Sequence, residues 1–221
     1  MTNVRTPSAD PSLDGASSPT GANGRALSDR GARTRRRLLE AAEEIFTERG
    51  YHDASIVKIT EAAGVAQGTF YLYFGSKREI FSELVLDLNR RVRHALTEGA
   101  KQGATRTEAE LLGFRAFFRF TADHPALYRV IRQAEFVSPE TLHLHYERFI
   151  EGYSDGLKAA MDAGEIAEAD PEVLAWALMG VGELIGMRSI LWSERGEVPE
   201  PMIQELARII ERMLAPKDRS Q

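Results

Sequence analysis

The chain has 221 residues, of which 43% are hydrophobic, so it is long and apolar enough to bury a substantial core in one or two domains. It carries 28 Lys and Arg against 33 Asp and Glu, a formal net charge of −5, which excludes a protein that coats nucleic acid through its overall charge. It contains no cysteine, which excludes disulfides, thiol nucleophiles and thiolate metal sites.

Residues 1–27 are predicted to form a disordered N-terminal tail. Ser, Pro, Thr, Gly, Ala and Asn dominate residues 1–24, and such a segment buries too little apolar surface to offset the entropy of folding. The tail lacks the apolar core of a secretory signal. No apolar stretch reaches the roughly 20 residues that span a bilayer, because the nearest candidate, Val173 to Met187, is interrupted by Glu183. We therefore expect a cytoplasmic protein without a membrane partner.

The first predicted helix carries an apolar stripe and follows a basic segment. Leu38, Ala42, Ile45 and Phe46 share one face, and Gly50 ends the helix. Asp29 is the one acidic residue among the preceding arginines, so this segment is a candidate for binding phosphates or a minor groove. A solvated, polar helix start is the alternative. The arginines are Arg25, Arg30, Arg33, Arg35, Arg36 and Arg37, of which Arg33 and Arg36 are taken as candidate DNA contacts.

Residues 55–74 predict two short helices joined by a sharp turn. Ser55 can cap the first helix, whose narrow apolar face holds Ile56, Ile59 and Ala63. Gly64 follows the last residue of that face, where glycine adopts a left-handed backbone most easily, so the helix stops there. This arrangement is how a chain places a reading helix in the major groove of DNA.

The second short helix, Ala66 to Leu72, presents small and polar residues around one large anchor, Phe70. Small and polar side chains at the start of a helix suit close approach to phosphates and base edges. Ser76 and Glu79 form a capping box that begins a third helix, and a lysine in its first turn opposes the helix dipole unless it faces a phosphate. Taken singly, each polar residue could equally be solvated surface. The candidate contacts are Gln67, Gly68, Thr69, Tyr71, Tyr73 and Lys77.

Residues 33–81 resemble the DNA-binding domain of the TetR (AcrR-like) family of transcriptional regulators. The matching residues are the run from Arg37 to Tyr51, Ile59, Ala63-Gly64-Val65, Gly68-Thr69-Phe70-Tyr71, Tyr73-Phe74 and Ser76-Lys77. The resemblance implies DNA contacts from Gln67, Gly68, Thr69, Tyr71, Tyr73 and Lys77, and a phosphate contact from Ser55. Thr60 stands where the family usually has alanine, and Ala66 where a serine or threonine commonly caps the recognition helix.

The rest of the chain is predicted to be helical throughout. Thr107 with Glu110 is read as a capping box, and Asp170-Pro171 as a cap with a first-turn proline. The predicted fold is all-α, with a three-helix helix-turn-helix DNA-binding domain at 28–75, a helical ligand-binding and dimerisation bundle at 76–214, and a frayed C-terminal tail at 215–221.

The last two predicted helices, from Pro171 to about Ser193 and from about Pro199 to Leu214, carry more apolar surface than one small bundle needs. We therefore expect a homodimer in which these helices pair as a four-helix bundle and bring two reading heads onto one face of the DNA. The alternative is that both helices complete the core of a monomer.

Bulky aromatic and flexible residues in the middle of the chain are typical of an apolar pocket, although they are equally typical of a packed core. The resemblance favours a pocket, because relatives bind an inducer in this domain. The weakly favoured effector is a small hydrophobic compound, aromatic or acyl, with Arg129 or Arg132 available for a carboxylate or phosphate. The candidate ligand-binding residues are Phe114, Phe117, Phe118, Tyr128, His145, Phe149, Trp176 and Met179.

An enzyme is not indicated. His143 and His145 point about 200° apart on one helix and cannot chelate a metal together, and the sequence contains neither a phosphate-binding glycine loop nor a G-x-S-x-G motif. We expect no cofactor and no metal. The sequence favours a ligand-responsive transcriptional regulator that binds a palindromic double-stranded operator and is released by its inducer. The resemblance implies a repressor, because repression is the usual mode of the family. The alternative is a helical small-molecule-binding or scaffold protein without sequence-specific DNA activity.

Overall fold

A computed structural model describes residues 20–22, 24–193 and 196–216. These described residues form nine α-helices, one isolated antiparallel bridge and no strand, which confirms the all-α prediction. The helices are α1 (Asp29–Asp53), α2 (Ile56–Ala62), α3 (Gln67–Phe70), α4 (Lys77–Ala100), α5 (Arg106–Asp123), α6 (Ala126–Val137), α7 (Pro139–Asp162), α8 (Pro171–Leu191) and α9 (Glu200–Leu214).

The chain divides into two compact units. In its described part, the head unit holds residues 20–89 and 125–145, and the distal unit holds residues 90–124 and 146–216. The head unit therefore contains α1 to α3, the first half of α4, α6 and the start of α7. Helices α4 and α7 each continue without interruption from one unit into the other.

The head unit is built around the apolar stripe of α1. Leu38, Ala42 and Phe46 are fully buried, together with Phe70 from α3 and Phe81 from α4. Helix α6 packs along α1 with its own buried face, which includes Val130, Ile131 and Ala134. The predicted division at residue 75 differs from this arrangement, because a segment far along the chain completes the head. An amphipathic pattern shows that α6 has a face to bury but not which helix covers it.

The distal unit has its own core, in which α5 packs against α8 and α9. Gly182 on α8 lies so close to α5 that an added Cβ would come within 2.8 Å of Phe114 Cε1. Beside this core, Arg106 forms an ion pair with Glu110, and Tyr153 donates a hydrogen bond to the same carboxylate. Buried ionic groups of this kind require mutual pairing, so the three side chains hold α5 against α7.

Most predicted helix starts are confirmed, and one is wrong. Ser55 caps α2 by accepting from Lys58 N at 3.2 Å, and Asp170 caps α8 by accepting from two backbone amides at 3.0 Å. The predicted capping box at Thr107 and Glu110 is wrong, because α5 begins two residues earlier. Thr105 Oγ1 accepts from Glu108 N at 3.2 Å, and Glu108 Oε2 accepts from Ala104 N at 2.8 Å. Thr105 with Glu108 and Thr107 with Glu110 have the same spacing in the sequence. In the structure, Glu110 forms an ion pair with Arg106.

Part of the predicted disordered tail forms a turn in the structure. Gly21 N donates to Arg25 O, and Ala22 N donates to the carbonyl of Leu72, each at 3.0 Å. Residues 1–19 and the end of the C-terminal tail, 217–221, lie outside the described residues, so the predictions for them stay predictions.

Helix α8 is apolar around most of its circumference. By length and composition it is the one helix in the described part of the chain that could cross a membrane, and 28% of its apolar stretch is buried. Core helices of soluble proteins have the same length and composition, so this is weak evidence for a membrane span. Val173, Leu184 and Trp192 on or next to this helix are exposed, as are Ile209 and Met213 on α9.

Candidate nucleic-acid interface

The first part of the interface is the start of helix α2, where Ser55 is the N-cap residue. Ser55 is partly exposed, and its hydroxyl oxygen accepts from Lys58 N. A hydroxyl that accepts one hydrogen bond still has its proton to donate. The geometry thus leaves Ser55 able to donate to an external phosphate oxygen while it caps the helix.

The turn between α2 and α3 is closed by a regular glycine C-cap. Gly64 has φ +62°, its N–H donates to Glu61 O, and Val65 N donates to Thr60 O, each at 3.0 Å. These two bonds form a Schellman motif, which requires a left-handed residue at the glycine position. The sequence prediction of a sharp turn at Gly64 agrees with this geometry.

Helix α3 has one buried residue and an open polar surface. Phe70 is fully buried, whereas Gln67 and Gly68 are exposed, and Thr69 and Tyr73 are partly so. Tyr71 is 50% exposed, and its ring and that of Phe70 form an edge-to-face pair at a centroid distance of 5.4 Å. The buried ring anchors the helix, and five of the predicted DNA-contact residues lie together on the surface around it.

A basic groove borders α3. It has a volume of about 590 Å³ and lies between the start of α1 and the turn that precedes α3. Three arginines at helical spacing, Arg30, Arg33 and Arg37, line it on the α1 side, and Thr69 lines it on the α3 side. Arginine side chains around a groove attract phosphate. The structure therefore brings Arg33 and Thr69 to one site. Arg36 is exposed but does not line this groove.

Two groove residues, Arg30 and Arg37, belong to the basic run of the sequence but are not among the DNA contacts predicted from it. Their spacing from Arg33 is i−3 and i+4, which places all three on one helix face. This helical spacing in the sequence indicates that Arg30 and Arg37 lie beside Arg33. Arg37 also donates from Nη2 to the carbonyls of Ala63, at 2.5 Å, and Gly64, at 3.5 Å, so it contacts the turn directly.

Lys77 has partners within the protein. Its Nζ donates to the carbonyls of Tyr51 at 2.7 Å, Ala54 at 2.8 Å and His52 at 3.4 Å, and lies 4.3 Å from the centroid of the Tyr51 ring. Burial lowers the pKa of Lys77, while the nearby Asp53 opposes that change. An ammonium group has three donors, and here it faces three carbonyls at the C-terminal end of α1, those of Tyr51 and His52 in its last turn and that of Ala54 just after it. A phosphate contact from Lys77 stays a prediction, and these bonds give the residue a second role.

The predicted ligand-binding residues fall in both units. Phe114 and Phe118 are buried in the distal core, with Phe117 and Met179 packed against it. Phe149 and Trp176 belong to the same unit, and the Trp176 ring lies 5.8 Å from that of Tyr146. Tyr128 and His145 lie in the head unit, as do Arg129 and Arg132, and Asn89 Nδ2 donates to the carbonyl of His145 at 3.0 Å. Ligand binding by these residues stays a prediction.

These features together define a helix-turn-helix DNA-binding protein. They are a capped helix, a glycine turn, a short helix with an exposed polar surface and an arginine-lined groove beside it. Comparison with known proteins agrees with this class. The model of the tetR family of bacterial regulatory proteins matches residues 38–84, which run from α1 into α4.

Two curated relatives from Bacillus subtilis (strain 168) extend the match beyond the head. The uncharacterized HTH-type transcriptional regulator YdgC is 32% identical over 162 residues, which cover 71% of this chain and 81% of that protein. The fatty acid metabolism regulator protein is 32% identical over 135 residues, which cover 59% of this chain and 70% of that protein. The chain belongs to the TetR family and is a DNA-binding transcriptional regulator. These relatives are regulators and not enzymes, in agreement with the sequence analysis.

Solved structures share the fold. A TetR-family regulator from Marinobacter aquaeolei VT8 superimposes with a TM-score of 0.70 at 18% identity, covering 86% of this chain and 100% of that one. The transcriptional regulator FadR from Bacillus subtilis, solved in complex with stearoyl-CoA, has a TM-score of 0.70 at 23% identity, covering 79% of this chain and 96% of that one.

Proposed function

We propose that this regulator is a cytoplasmic repressor that binds a palindromic operator as a homodimer and is released by a hydrophobic small-molecule inducer. The observation that carries the proposal is the exposed polar surface of α3 beside the basic groove, in a protein whose family regulates transcription. The proposal has three parts, which concern the DNA contacts, the dimer and the inducer.

The proposed DNA contacts divide into base readers and phosphate binders. Gln67 and Thr69 on α3 read base edges, and Gly68 carries no side chain, so the helix backbone approaches the groove closely. The hydroxyls of Ser55, Tyr71 and Tyr73 reach phosphate oxygens, and hydroxyl donors are well suited to that role. Cationic groups supply the charge-dependent part of the affinity. These are Arg33, Arg36 and Lys77.

The dimer is supported by the apolar surface of α8 and α9. Leu184 is 57% exposed and Ile209 is 51% exposed, and further large apolar residues lie nearby on both helices. A surface of this kind is costly in water and is typical of an interface. A twofold axis through paired α8 and α9 helices would present two heads to half-sites about 34–36 Å apart.

The inducer is proposed to be an acyl compound. One relative regulates fatty acid metabolism, and a protein of the same fold has been solved with stearoyl-CoA. The distal core offers a matching apolar lining through Phe114, Phe117 and Phe118. Because these rings are packed, an acyl chain has to displace some of them, and the rearranged distal unit then disfavours DNA binding. A differential affinity of roughly 1–3 kcal/mol between the two states is enough to change operator affinity severalfold to a hundredfold.

The proposal is tested with DNA selected in vitro from a random-sequence duplex library by the purified full-length protein. We expect an enriched motif with twofold symmetry, and a mobility-shift signal on it that palmitoyl-CoA or stearoyl-CoA reduces but free CoA does not. A library that stays random after repeated rounds would contradict the DNA-binding part and support the scaffold alternative. A symmetric motif whose binding is insensitive to both acyl compounds would contradict the acyl inducer alone.

A further inference from the structure

We infer that Arg37 is a positioning residue for DNA recognition. It holds the turn between α2 and α3 and thereby sets the orientation of α3, without itself touching DNA. The inference rests on the proposed role of α3 as the reading helix.

The first argument is the hydrogen bonding at the end of α2. Backbone amides of the turn donate to the carbonyls of Ile59, Thr60 and Glu61. The carbonyls of Ala63 and Gly64, at the turn itself, accept from Nη2 of Arg37 on α1, at 2.5 and 3.5 Å. A cation is favoured at the carboxyl end of a helix, where the dipole is negative. Arg37 therefore connects α1 to the turn that positions α3.

The second argument is the closeness of the contact. An added Cβ on Gly64 would lie only 3.1 Å from Nη2 of Arg37. Gly64 therefore has two structural roles. It adopts the left-handed φ of +62°, and it leaves room for the guanidinium group.

The competing role is a direct phosphate contact, because Arg37 lines the same groove as Arg33. The two roles differ in their chemistry. A phosphate contact depends on charge, which lysine also supplies as a point charge. The link to the turn depends on the position of Nη2, which a lysine ammonium does not reach because Nζ ends about one bond length shorter.

The test compares Arg37→Lys and Arg37→Met with Arg33→Met as a matched control. Binding to the selected operator and to poly(dI-dC) duplex is measured over a range of salt concentrations. We expect both Arg37 variants to lose about tenfold or more in operator affinity, and Arg37→Lys to keep the wild-type affinity for poly(dI-dC) and the wild-type salt dependence. Arg33→Met should weaken binding to both duplexes and lower the magnitude of the salt slope by about 1. Wild-type operator affinity in Arg37→Lys would overturn the inference in favour of a phosphate contact.

A second measurement needs no DNA and separates this inference from the proposed function. Amide hydrogen exchange of Gly64 and Val65 in the free protein should become at least tenfold faster in Arg37→Lys and Arg37→Met and stay unchanged in Arg33→Met. Unchanged exchange in the Arg37 variants would overturn the inference, even if the operator is bound. If exchange is faster in the Arg37 variants but the wild-type protein selects no operator, the contact of Arg37 with the turn is supported and the proposed function is contradicted.

Discussion

Gln67 is the residue that we expect to contribute most to base recognition in the proposed interface. It is exposed at the first position of α3, and glutamine pairs through two hydrogen bonds with adenine in the major groove. Tyr71, one turn further on, offers a single hydroxyl suited to the backbone.

We expect Gln67→Ala to relax preference at one base-pair position of each half-site by about 1–3 kcal/mol, because a base-edge contact is lost. Competition between the operator and single-base variants measures this. Tyr71→Phe is the control and should lower affinity for all variants by a similar factor. An unchanged preference profile in Gln67→Ala would remove this residue from the readout.

Glu183 is an acidic residue in the apolar helix α8, and burial raises its pKa, although the hydrogen bond from Tyr146 at 3.0 Å opposes that change. The folded protein therefore holds the proton more tightly than the unfolded chain. It follows that this carboxyl lowers the free energy of unfolding at neutral pH, and that stability is regained as the pH falls through the folded-state pKa.

Glu183→Gln keeps an acceptor for Tyr146 but removes the charge. We expect the variant to be more stable than the wild type at pH 7 to 8, and the difference to shrink on acidification toward the ordinary range of a glutamate. Urea unfolding at several pH values measures both effects. A difference that grows on acidification would contradict the assigned direction.

At the scale of helices, the sequence predicted the starts of α2, α4 and α8, because the capping residues Ser55, Ser76 and Asp170 mark them. It placed the end of α1 at Gly50, whereas α1 continues to Asp53 with Gly50 at φ +73° inside it. It misplaced the start of α5, since Thr105-Glu108 and Thr107-Glu110 have the same spacing and only packing decides between them. It did not indicate the hydrogen bonds of Arg37 to the turn, because the carbonyls that this side chain contacts become its neighbours only once α1 and α2 are packed.

The contact between α5 and α8 provides a test at this scale. Gly182→Ala should destabilise the protein by about 1–3 kcal/mol, because the new methyl group would overlap the buried Phe114 ring. Gly152→Ala is the control in α7, where an added Cβ meets no atom within 4 Å, and it should be neutral or stabilise by about 0.5–1 kcal/mol. Thermal and chemical unfolding measure both. Equal stability of Gly182→Ala and the wild type would show that the Phe114 ring can move aside without a change in the free energy of unfolding.

For the whole molecule, we expect the exposed apolar surface of α8 and α9 to form the interface of the proposed dimer. Leu184→Asp should yield a folded monomer and lower operator affinity by at least tenfold, because a buried charge opposes pairing and a single head loses the second half-site. Sedimentation and mobility-shift assays measure this. Phe136→Asp replaces an 82% exposed aromatic residue on α6 and should leave the oligomeric state unchanged. A dimer of normal stability in Leu184→Asp would place the interface elsewhere.

The way in which α6 completes the head limits how the regulator can be divided. A gene fragment that stops after α4 would lack residues 125–145 and with them α6, the helix that packs along α1, so the face of α1 that α6 covers would be left in water. Hybrid regulators that combine this reading specificity with another sensor must therefore carry two separate stretches of the chain, and swaps made at a single crossover point should produce insoluble protein.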